Sequence, residues 1–470
     1  MNPELSLPNY VDDLGNGLSR RWSTAGDEAK IGACLATVFR DKPDDPPNPA
    51  MINRLAVLFS PGQPLMGPGD FAVVEDTNRA ERPIVACACL WSQCWSYGGI
   101  PFGLGRPEYV ATLPEYRNRG LMRAVFEMLH ARSAARGDMV QAITGIPYYY
   151  RQFGYEYALD LGGGRTIPVA VIPAKKGEEP ELCQLRPARE SDVQEIKSLY
   201  DLQAAGSLVW TEMTEERWRY YITVWDIPAV QRQAPGEFGP ERRLFMIVDG
   251  ADKVCGVVGL ATSRRRGTVY IGRLIMAPHV NWQAAMPSLL RAFVQAAADI
   301  PDADLANLAG ATPEPVRELA FNLGRVDPAN DILGDRLASS HEPPYAWYVR
   351  VADVPGFLHH IAPVLERRLA ESVLAGYTGE LKISLYRGGL RLQFEKGKMI
   401  EAAPWRVPDY GDEEHAGCPP LVLLQLLFGH RSLAELRASY PDVWTNSEAA
   451  LLINTLFPKQ ISIVRGLSYT

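Results

Sequence analysis

The sequence predicts a mixed α/β fold with a central sheet flanked by helices, present in two copies and followed by a smaller α+β domain. The chain has 470 residues, too many for one hydrophobic core, because single domains usually hold about 100–200 residues. Hydrophobic residues make up 47% of the chain and charged residues 22%, as in folded globular proteins. Short apolar strands alternate with helices whose apolar residues recur every three or four positions, and this alternation predicts the α/β class.

Three blocks follow one another along the chain, and we expect each to be a domain. The first covers residues 1–177 and ends at a polar linker whose proline, glycine and charged residues cannot form a core. The second covers residues 178–342 and opens with a strand and a helix over residues 193–202, with Ser191 as the expected N-cap. The third covers residues 343–470 and is predicted to be the small α+β domain.

The first two blocks share one order of elements: a hairpin, a strand that ends at a proline, and an amphipathic helix. These segments are residues 83–90, 109–114 and 121–135 in the first block and residues 253–260, 273–278 and 284–298 in the second. With the two prolines in register, Arg117 faces Asn281 and Gly120 faces Ala284. The pattern predicts a tandem duplication whose second copy lacks the basic and glycine residues of the first.

The turn from Pro114 into the first of these helices has the features of an anion site. A strand that turns directly into a helix leaves the first backbone N–H groups unpaired, and the positive end of the helix dipole adds to them. Gly120 permits close approach of a phosphate, and Arg117, Arg119 and Arg123 surround the same turn. The turn is therefore predicted to hold a pyrophosphate. By spacing alone, a strand–helix turn with solvated arginines explains the same residues equally well.

Residues 110–122 resemble the acetyl-CoA loop of the Gcn5-related N-acetyltransferase (GNAT) superfamily, R/Q-x-x-G-x-G/A. Arg117 and Gly120 match its first two anchors, and Met122 stands where the superfamily has glycine or alanine. The loop is similar to the R-x-R-G-L-hydrophobic form of the Eis-like (enhanced intracellular survival) acetyltransferases. The resemblance implies acetyl-CoA as the cosubstrate, bound by Val110, Thr112, Arg117, Asn118, Arg119, Gly120, Leu121 and Met122.

Residues 147–155 resemble the second superfamily motif, Y-x-x-x-G-F/Y, and the motif's tyrosine corresponds to Tyr150. The resemblance implies that Tyr150 is the general acid that protonates the departing coenzyme A thiolate. A phenol with a pKa near 10 stays protonated at pH 7 and can serve a thiolate with a pKa of about 8.5. The alternative is an aromatic cluster that packs a helix end, which we favour for Tyr148 and Tyr149. In the second block we expect Ala320 at the place of Tyr150, so that copy is predicted not to catalyse.

The third block contains a predicted hairpin, residues 381–394, and two apolar helices, residues 420–429 and 446–457. This order resembles a sterol-carrier-like domain, and Eis-like acetyltransferases have a C-terminal domain similar to sterol carrier protein 2. Such a domain can hold a lipid in a tunnel, or its core can be closed and complete the substrate cavity, which is the role that we favour. In Eis-like enzymes the terminal carboxylate is a base or a substrate anchor, so the resemblance implies this role for Thr470.

Composition and spacing argue against metal, nucleic-acid and membrane partners. The seven cysteines lack the paired spacing of a zinc site, and the adjacent His359 and His360 have no ligand partner at i+4. A net charge of −7 is unlike that of a dedicated nucleic-acid-binding protein. We find neither a secretory signal nor an apolar run of about 20 residues, so a cytoplasmic protein is expected.

The resulting prediction is an acetyl-CoA-dependent N-acetyltransferase that acts on a primary amine of an aminoglycoside, a polyamine or a lysine side chain. The Eis-like resemblance implies a homo-oligomer, and hexamers are common in that branch. Trp91 and Trp95 either line the acceptor pocket or belong to the core. A lipid or sterol carrier is one alternative. A coenzyme A-binding regulator without turnover is another, against which the intact Arg117, Gly120 and Tyr150 count.

Overall fold

The computed structural model describes residues 2–175, 177–178, 180–227, 230, 242–302, 314–406 and 414–464. These residues form three β-sheets and the helices that flank them, which confirms the predicted mixed α/β class. The α-helices are α1 (Glu28–Val38), α2 (Pro49–Leu58), α3 (Leu121–Ala135), α4 (Val193–Ala204), α5 (Glu215–Thr223), α6 (Trp282–Ala297), α7 (Pro328–Leu337), α8 (Val354–His360), α9 (Ala362–Ala370), α10 (Pro420–Leu427), α11 (Leu433–Ser439) and α12 (Ser447–Leu456).

The strands are numbered in chain order. The first sheet contains β1 (Val11–Gly15), β2 (Leu18–Trp22), β3 (Phe71–Asp76), β4 (Ile84–Tyr97), β5 (Ile100–Thr112), β6 (Val140–Ile143), β7 (Glu156–Leu161), β10 (Val209–Thr211) and β16 (Tyr345–Val351). The second contains β8 (Gly164–Pro168), β9 (Gln184–Pro187), β11 (Arg242–Val248), β12 (Val254–Ala261), β13 (Thr268–Met276), β14 (Glu318–Phe321) and β15 (Ser340–Glu342). The third contains β17 (Gly379–Ser384), β18 (Gly389–Glu395), β19 (Lys398–Trp405), β20 (Ala416–Gly417) and β21 (Trp444–Thr445).

The first sheet carries helices on both faces. Successive side chains of a strand point to opposite faces, so one strand can contribute to both cores. Cys87, Cys89 and Trp91 of β4 pack in a core with α1 and α2. Ala88 and Leu90, which alternate with them, pack in a second core with α3. Strand β4 is therefore apolar from residue 84 to residue 91, as expected of a strand segment that is buried on both faces.

The second sheet repeats the central order of the first. Strands β3, β4 and β5 are antiparallel and β6 is parallel to β5, with α3 between β5 and β6. Strands β11, β12 and β13 are likewise antiparallel and β14 is parallel to β13, with α6 between them. Helix α4 begins after Asp192 and not after Ser191, so the predicted cap is wrong. Asp192 ends a 3-10 turn there and accepts the backbone N–H of Arg189 at 2.8 Å.

Sheet membership crosses the borders of the predicted blocks. Strand β16 of the third block lies between β6 and β7, and β8 of the first block pairs with β14 and β15. Strand β10 of the second block adds to β4. The borders at residues 177 and 342 stay predictions, while these exchanged strands connect all three blocks.

The third sheet and its helices follow the predicted pattern. Strands β17 and β18 form the expected hairpin, with Ile383 opposite Leu390. Helix α12 begins after Asn446, whose side chain accepts the N–H of Ala449 at 2.8 Å, as an N-cap should. In the part of the chain that the structure describes, no helix is both long and apolar enough to cross a membrane.

Candidate active site

A β-bulge interrupts strand β5 just before the predicted cofactor loop. The β4–β5 ladder shifts register between Cys87 and Cys89, where β5 contributes two residues, Tyr109 and Val110, against one residue of β4. Tyr109 has a φ of +53°, in the left-handed region. Because a bulge leaves its extra residue outside the ladder, the backbone of Val110 can meet a ligand here.

Strand β5 separates from its other neighbour at the same end. The parallel pairing with β6 joins only Leu104 to Val140 and Gly105 to Gln141. Beyond Gly105, no strand within the described residues pairs with that side of β5, which stays open as far as Thr112. An extended ligand can add to such an edge through its own amide groups.

The predicted cofactor loop follows β5 and ends at helix α3. Gly120 directly precedes the helix with a φ of +75°, and a Cβ placed on it would meet no atom within 4 Å. Among the described residues, no acceptor binds the backbone N–H groups of residues 119–122. These open donors and the positive end of the helix dipole form a site for an anion.

Two arginine side chains are held against this turn. Arg117 donates from Nε to the carbonyl of Thr112 at 3.3 Å. Arg119 donates from Nη2 to the carbonyl of Glu115 at 2.9 Å, and its guanidinium lies 4.9 Å from the ring centre of Tyr116. Both side chains are exposed, so their remaining N–H groups can bind a phosphate.

The other predicted cofactor residues lie at the same end of β5. Val110 and Thr112 belong to the strand, and Asn118 turns the loop with a φ of +62°. Leu121 and Met122 are the first two residues of α3, and their side chains are buried in the core, so they offer only their backbone to a cofactor. The predicted cofactor-binding residues therefore all lie around the open end of β5.

In the second copy the corresponding helix end is capped by the chain itself. Helix α6 begins after Asn281, whose side chain accepts the N–H of Ala284 at 3.1 Å. Gly120 and Asn281 both directly precede their helices, so the predicted pairing of Gly120 with Ala284 is wrong. The second copy reaches its helix three residues sooner after the proline, as the steps 114 to 120 and 278 to 281 show. Its first N–H groups are already satisfied in part.

The predicted correspondence of Ala320 with Tyr150 is also wrong. Ala320 lies within strand β14, whose topological counterpart is β6, whereas Tyr150 lies in the 3-10 turn Tyr149–Phe153 after β6. Ala320 precedes Gly324 by the same four positions as Tyr150 precedes Gly154, but Ala320 belongs to a strand and Tyr150 to a turn.

Tyr150 is buried among aromatic rings. Its ring centre lies 5.9 Å from that of Phe126, 6.3 Å from that of Tyr155 and 5.4 Å from that of Tyr348. Burial first, and the nearby Glu108 second, raise the pKa of Tyr150 well above its usual range. Its hydroxyl makes no hydrogen bond within the described chain. The phenol is therefore protonated at neutral pH and free to donate.

Sequence reasoning missed a buried ion pair on β5. Arg106 donates from Nε and Nη2 to Oε1 of Glu108, both at 2.6 Å. Its guanidinium lies 5.0 Å from the ring centre of Trp91 and 4.7 Å from that of Trp347. The signal was two charged residues, two positions apart, on an otherwise apolar strand. Trp91 is thus a core residue that holds Arg106, and Trp95 is also fully buried.

A cavity of 1220 Å³ lies between the three blocks. Arg106, Thr144 and Trp347 line it at the first sheet, and Trp210 and Ile463 line it elsewhere. Ile463 forms a parallel bridge with Trp210, so the segment before the C-terminus runs beside β10 along this cavity. The cavity therefore reaches Arg106 of the ion pair on β5.

A metal centre has no support among the described residues, where no three His, Cys, Asp or Glu side chains form a binding group. His359 accepts the N–H of Ala402 at 3.0 Å, and His360 Nε2 lies 2.7 Å from the carbonyl oxygen of Pro101, so both histidines have structural partners. The predicted site residue Thr470 lies outside the described residues.

A family model described as "Acetyltransferase (GNAT) domain" matches residues 20–158, the part of the chain that holds the open strand end and Tyr150. Residues 20–158 are thus similar to GNAT acetyltransferase domains. No curated protein matches the chain.

Several solved structures are similar along nearly the whole chain. A GCN5-related N-acetyltransferase from Anabaena variabilis ATCC 29413 is 15% identical, with 95% of this chain and 99% of that chain covered and a TM-score of 0.62. A probable N-acyltransferase from Enterococcus faecalis V583 is 15% identical, with 95% and 99% covered and a TM-score of 0.65. Eis1 from Mycobacterium abscessus is 13% identical, with 94% and 98% covered and a TM-score of 0.54. At these identities the likeness shows the fold.

Proposed function

We propose that this protein transfers an acetyl group from acetyl-CoA to a primary amine at the open end of β5. The observation that carries this proposal is the meeting of an uncapped helix N-terminus, a β-bulge and a protonated Tyr150 at one strand end. The second copy lacks an open helix end because Asn281 caps it. We therefore expect one active site per chain.

The residues present fit coenzyme A group by group. The N–H groups near Gly120, with Arg117 and Arg119, would bind the pyrophosphate. The open edge of β5 up to Thr112 would pair with the amides of the pantetheine arm. A backbone N–H at the bulge near Val110 would polarise the thioester carbonyl, as oxyanion donors do.

Transfer then needs no covalent intermediate on the protein. A neutral amine attacks the thioester carbonyl carbon, the C–N bond forms and the C–S bond breaks. Tyr150 gives its phenol proton to the departing thiolate. Holding both reactants in line supplies much of the rate enhancement.

The cavity that reaches Arg106 is the candidate acceptor site. Its volume of 1220 Å³ can hold a branched polyamine, an aminoglycoside or a lysine side chain with its flanking residues.

The proposed role of the Thr470 carboxylate as a base or anchor predicts that deletion of residues 468–470 lowers turnover. Unchanged turnover would remove Thr470 from the mechanism.

The test is to incubate the purified chain with acetyl-CoA and a panel of aminoglycosides, polyamines and lysine peptides, and to identify products by mass spectrometry. We expect at least one N-acetylated amine. A chain that binds no acetyl-CoA and copurifies with lipid would instead support the carrier function. A chain that binds acetyl-CoA but acetylates nothing would support the regulator.

A further inference from the structure

We propose that three tyrosines, Tyr157 of β7 and Tyr345 and Tyr348 of β16, position Tyr150 for its proton transfer. This inference rests on the proposed acetyl transfer. It assigns a part in that reaction to the third block, because β16 belongs to that block and lies between two strands of the first sheet.

Tyr150 follows strand β6 after a short loop. The strand ends at Ile143 and the turn that carries Tyr150 begins at Tyr149, so residues 144–148 connect the two. The path of this loop away from the sheet therefore determines where the Tyr150 hydroxyl lies. A catalytic group must be held within about 0.5 Å of its productive position to keep its effect.

Each of the three tyrosine hydroxyls bonds a different backbone group of this loop. The bonds join Tyr345 to the carbonyl oxygen of Gly145 at 3.0 Å, Tyr348 to that of Ile146 at 3.2 Å, and the N–H of Tyr148 to the Tyr157 oxygen at 3.3 Å. Three backbone groups within four consecutive residues are thus bound by side chains of β7 and β16. The path of the loop therefore depends on these hydroxyl groups.

The hydroxyls also contact one another, so the cluster acts as one unit. The Tyr157 oxygen lies 2.6 Å from that of Tyr348 and 3.1 Å from that of Tyr345. With Tyr345 donating to Gly145 and Tyr157 donating to Tyr345, the single proton of Tyr348 is shared between Ile146 and Tyr157. Loss of one hydroxyl therefore disturbs the bonds of the other two.

The loop ends in a strained residue directly before the turn. Tyr148 has a φ of +62°, in the left-handed region, which a non-glycine residue adopts only at a cost in free energy. Such a conformation persists where neighbouring groups fix it. Here the bond from the Tyr148 N–H to Tyr157 does so. Without this bond we expect Tyr148 to relax, and the turn that carries Tyr150 to move with it.

Tyr348 also contacts Tyr150 directly. Their ring centres are 5.4 Å apart in an edge-to-face arrangement, and Tyr348 is fully buried. A change of Tyr348 to phenylalanine removes the hydroxyl and keeps this ring contact. Tyrosine-to-phenylalanine substitutions therefore test the hydrogen bonds of the cluster and not its packing.

The experiment measures kcat for Tyr348→Phe and Tyr157→Phe, each alone and combined with Tyr150→Phe. We expect each single substitution to lower kcat roughly 10–10²-fold with unchanged acetyl-CoA affinity, since a misplacement of about 1 Å can cost that much. In the Tyr150→Phe background the same substitutions should cost nothing further, because no phenol is left to position. A merely structural role would give the same loss in both backgrounds.

Tyr97→Phe is the matched control. Tyr97 is a buried tyrosine of the same sheet, and its hydroxyl donates to the carbonyl oxygen of Leu427 at 2.8 Å. It lies at the hairpin end of β4, opposite the open end of β5, so this variant should keep the wild-type kcat. If Tyr348→Phe does not fold, the same comparison with Tyr345→Phe decides the question, because Tyr345 is 42% exposed.

Two results would overturn the inference while the proposed acetyl transfer would stand. One is a wild-type kcat in both Tyr348→Phe and Tyr157→Phe, and the other is an equal loss with and without the Tyr150 hydroxyl. Absence of thiol release by wild type with every amine would instead refute the proposed function, and the inference with it.

Discussion

Replacement of Gly120 by alanine tests the anion site at the start of α3, and the same helix supplies a matched control. Gly120 has a φ of +75° and Gly137, just beyond the other end of α3, has a φ of +78°. A Cβ added at either position meets no atom within 4 Å. The two substitutions therefore impose the same backbone strain and no clash within the protein.

The expected magnitudes follow from these two facts. A non-glycine residue in the left-handed conformation costs roughly 1–2 kcal/mol, so Gly120→Ala and Gly137→Ala should lower the free energy of unfolding about equally. Only at Gly120 does the added methyl group occupy the space above open N–H donors. Loss of one charge-assisted hydrogen bond, about 1.5–3 kcal/mol, should weaken coenzyme A binding roughly 10–100-fold.

The assay is isothermal titration of each variant with coenzyme A, next to urea unfolding of the same samples. We expect Gly137→Ala to bind like wild type and Gly120→Ala to bind weakly, with similar unfolding midpoints. Equal coenzyme A affinity in the two variants would refute the placement of the pyrophosphate at this turn.

Three further outcomes follow from the structure. Titration should find one acetyl-CoA per chain, because Asn281 caps the second copy's helix, and two sites would contradict this. Arg117→Gln should weaken coenzyme A binding more at low salt than at high salt, and a salt-independent loss would argue against a phosphate contact. Asp27, bound by Arg21 at 2.8 Å, has its pKa lowered to about 2 by hydrogen bonds that outweigh burial, so its stabilisation is present above pH 4 and is lost as the pH falls towards 2. In urea unfolding Asp27→Asn should therefore cost about 2 kcal/mol at pH 7 and roughly half of that at pH 3, whereas an equal cost at both pH values would contradict the shift.

The sequence predicted those elements whose bounds depend on interactions between residues close together in the chain. The bounds of α3 were predicted residue for residue, because a glycine precedes the helix and apolar residues recur along one stripe. The β17–β18 hairpin was predicted from its turn residues.

Long-range pairing could not be read in the same way. Strand β16 lies between β6 and β7 although it is about 200 residues from them along the chain, and periodicity carries no information about such partners. Gly120 was paired with Ala284 instead of Asn281 because the prediction aligned the two prolines, although the loops that follow them differ in length. The Arg106–Glu108 pair was missed because the burial of Arg106 depends on Trp347, which strand β16 brings into the first sheet.

The rate of thiol release from acetyl-CoA in the presence of amines tests the central claim most directly. Wild type, Tyr150→Phe and Tyr149→Phe should be compared with the same amine panel, since Tyr149 adjoins Tyr150 and has no proposed role in transfer. We expect amine-dependent release by wild type and Tyr149→Phe, and a roughly 10²–10⁴-fold lower kcat for Tyr150→Phe with unchanged acetyl-CoA affinity. No release with any amine, or equal release by Tyr150→Phe, would contradict the account.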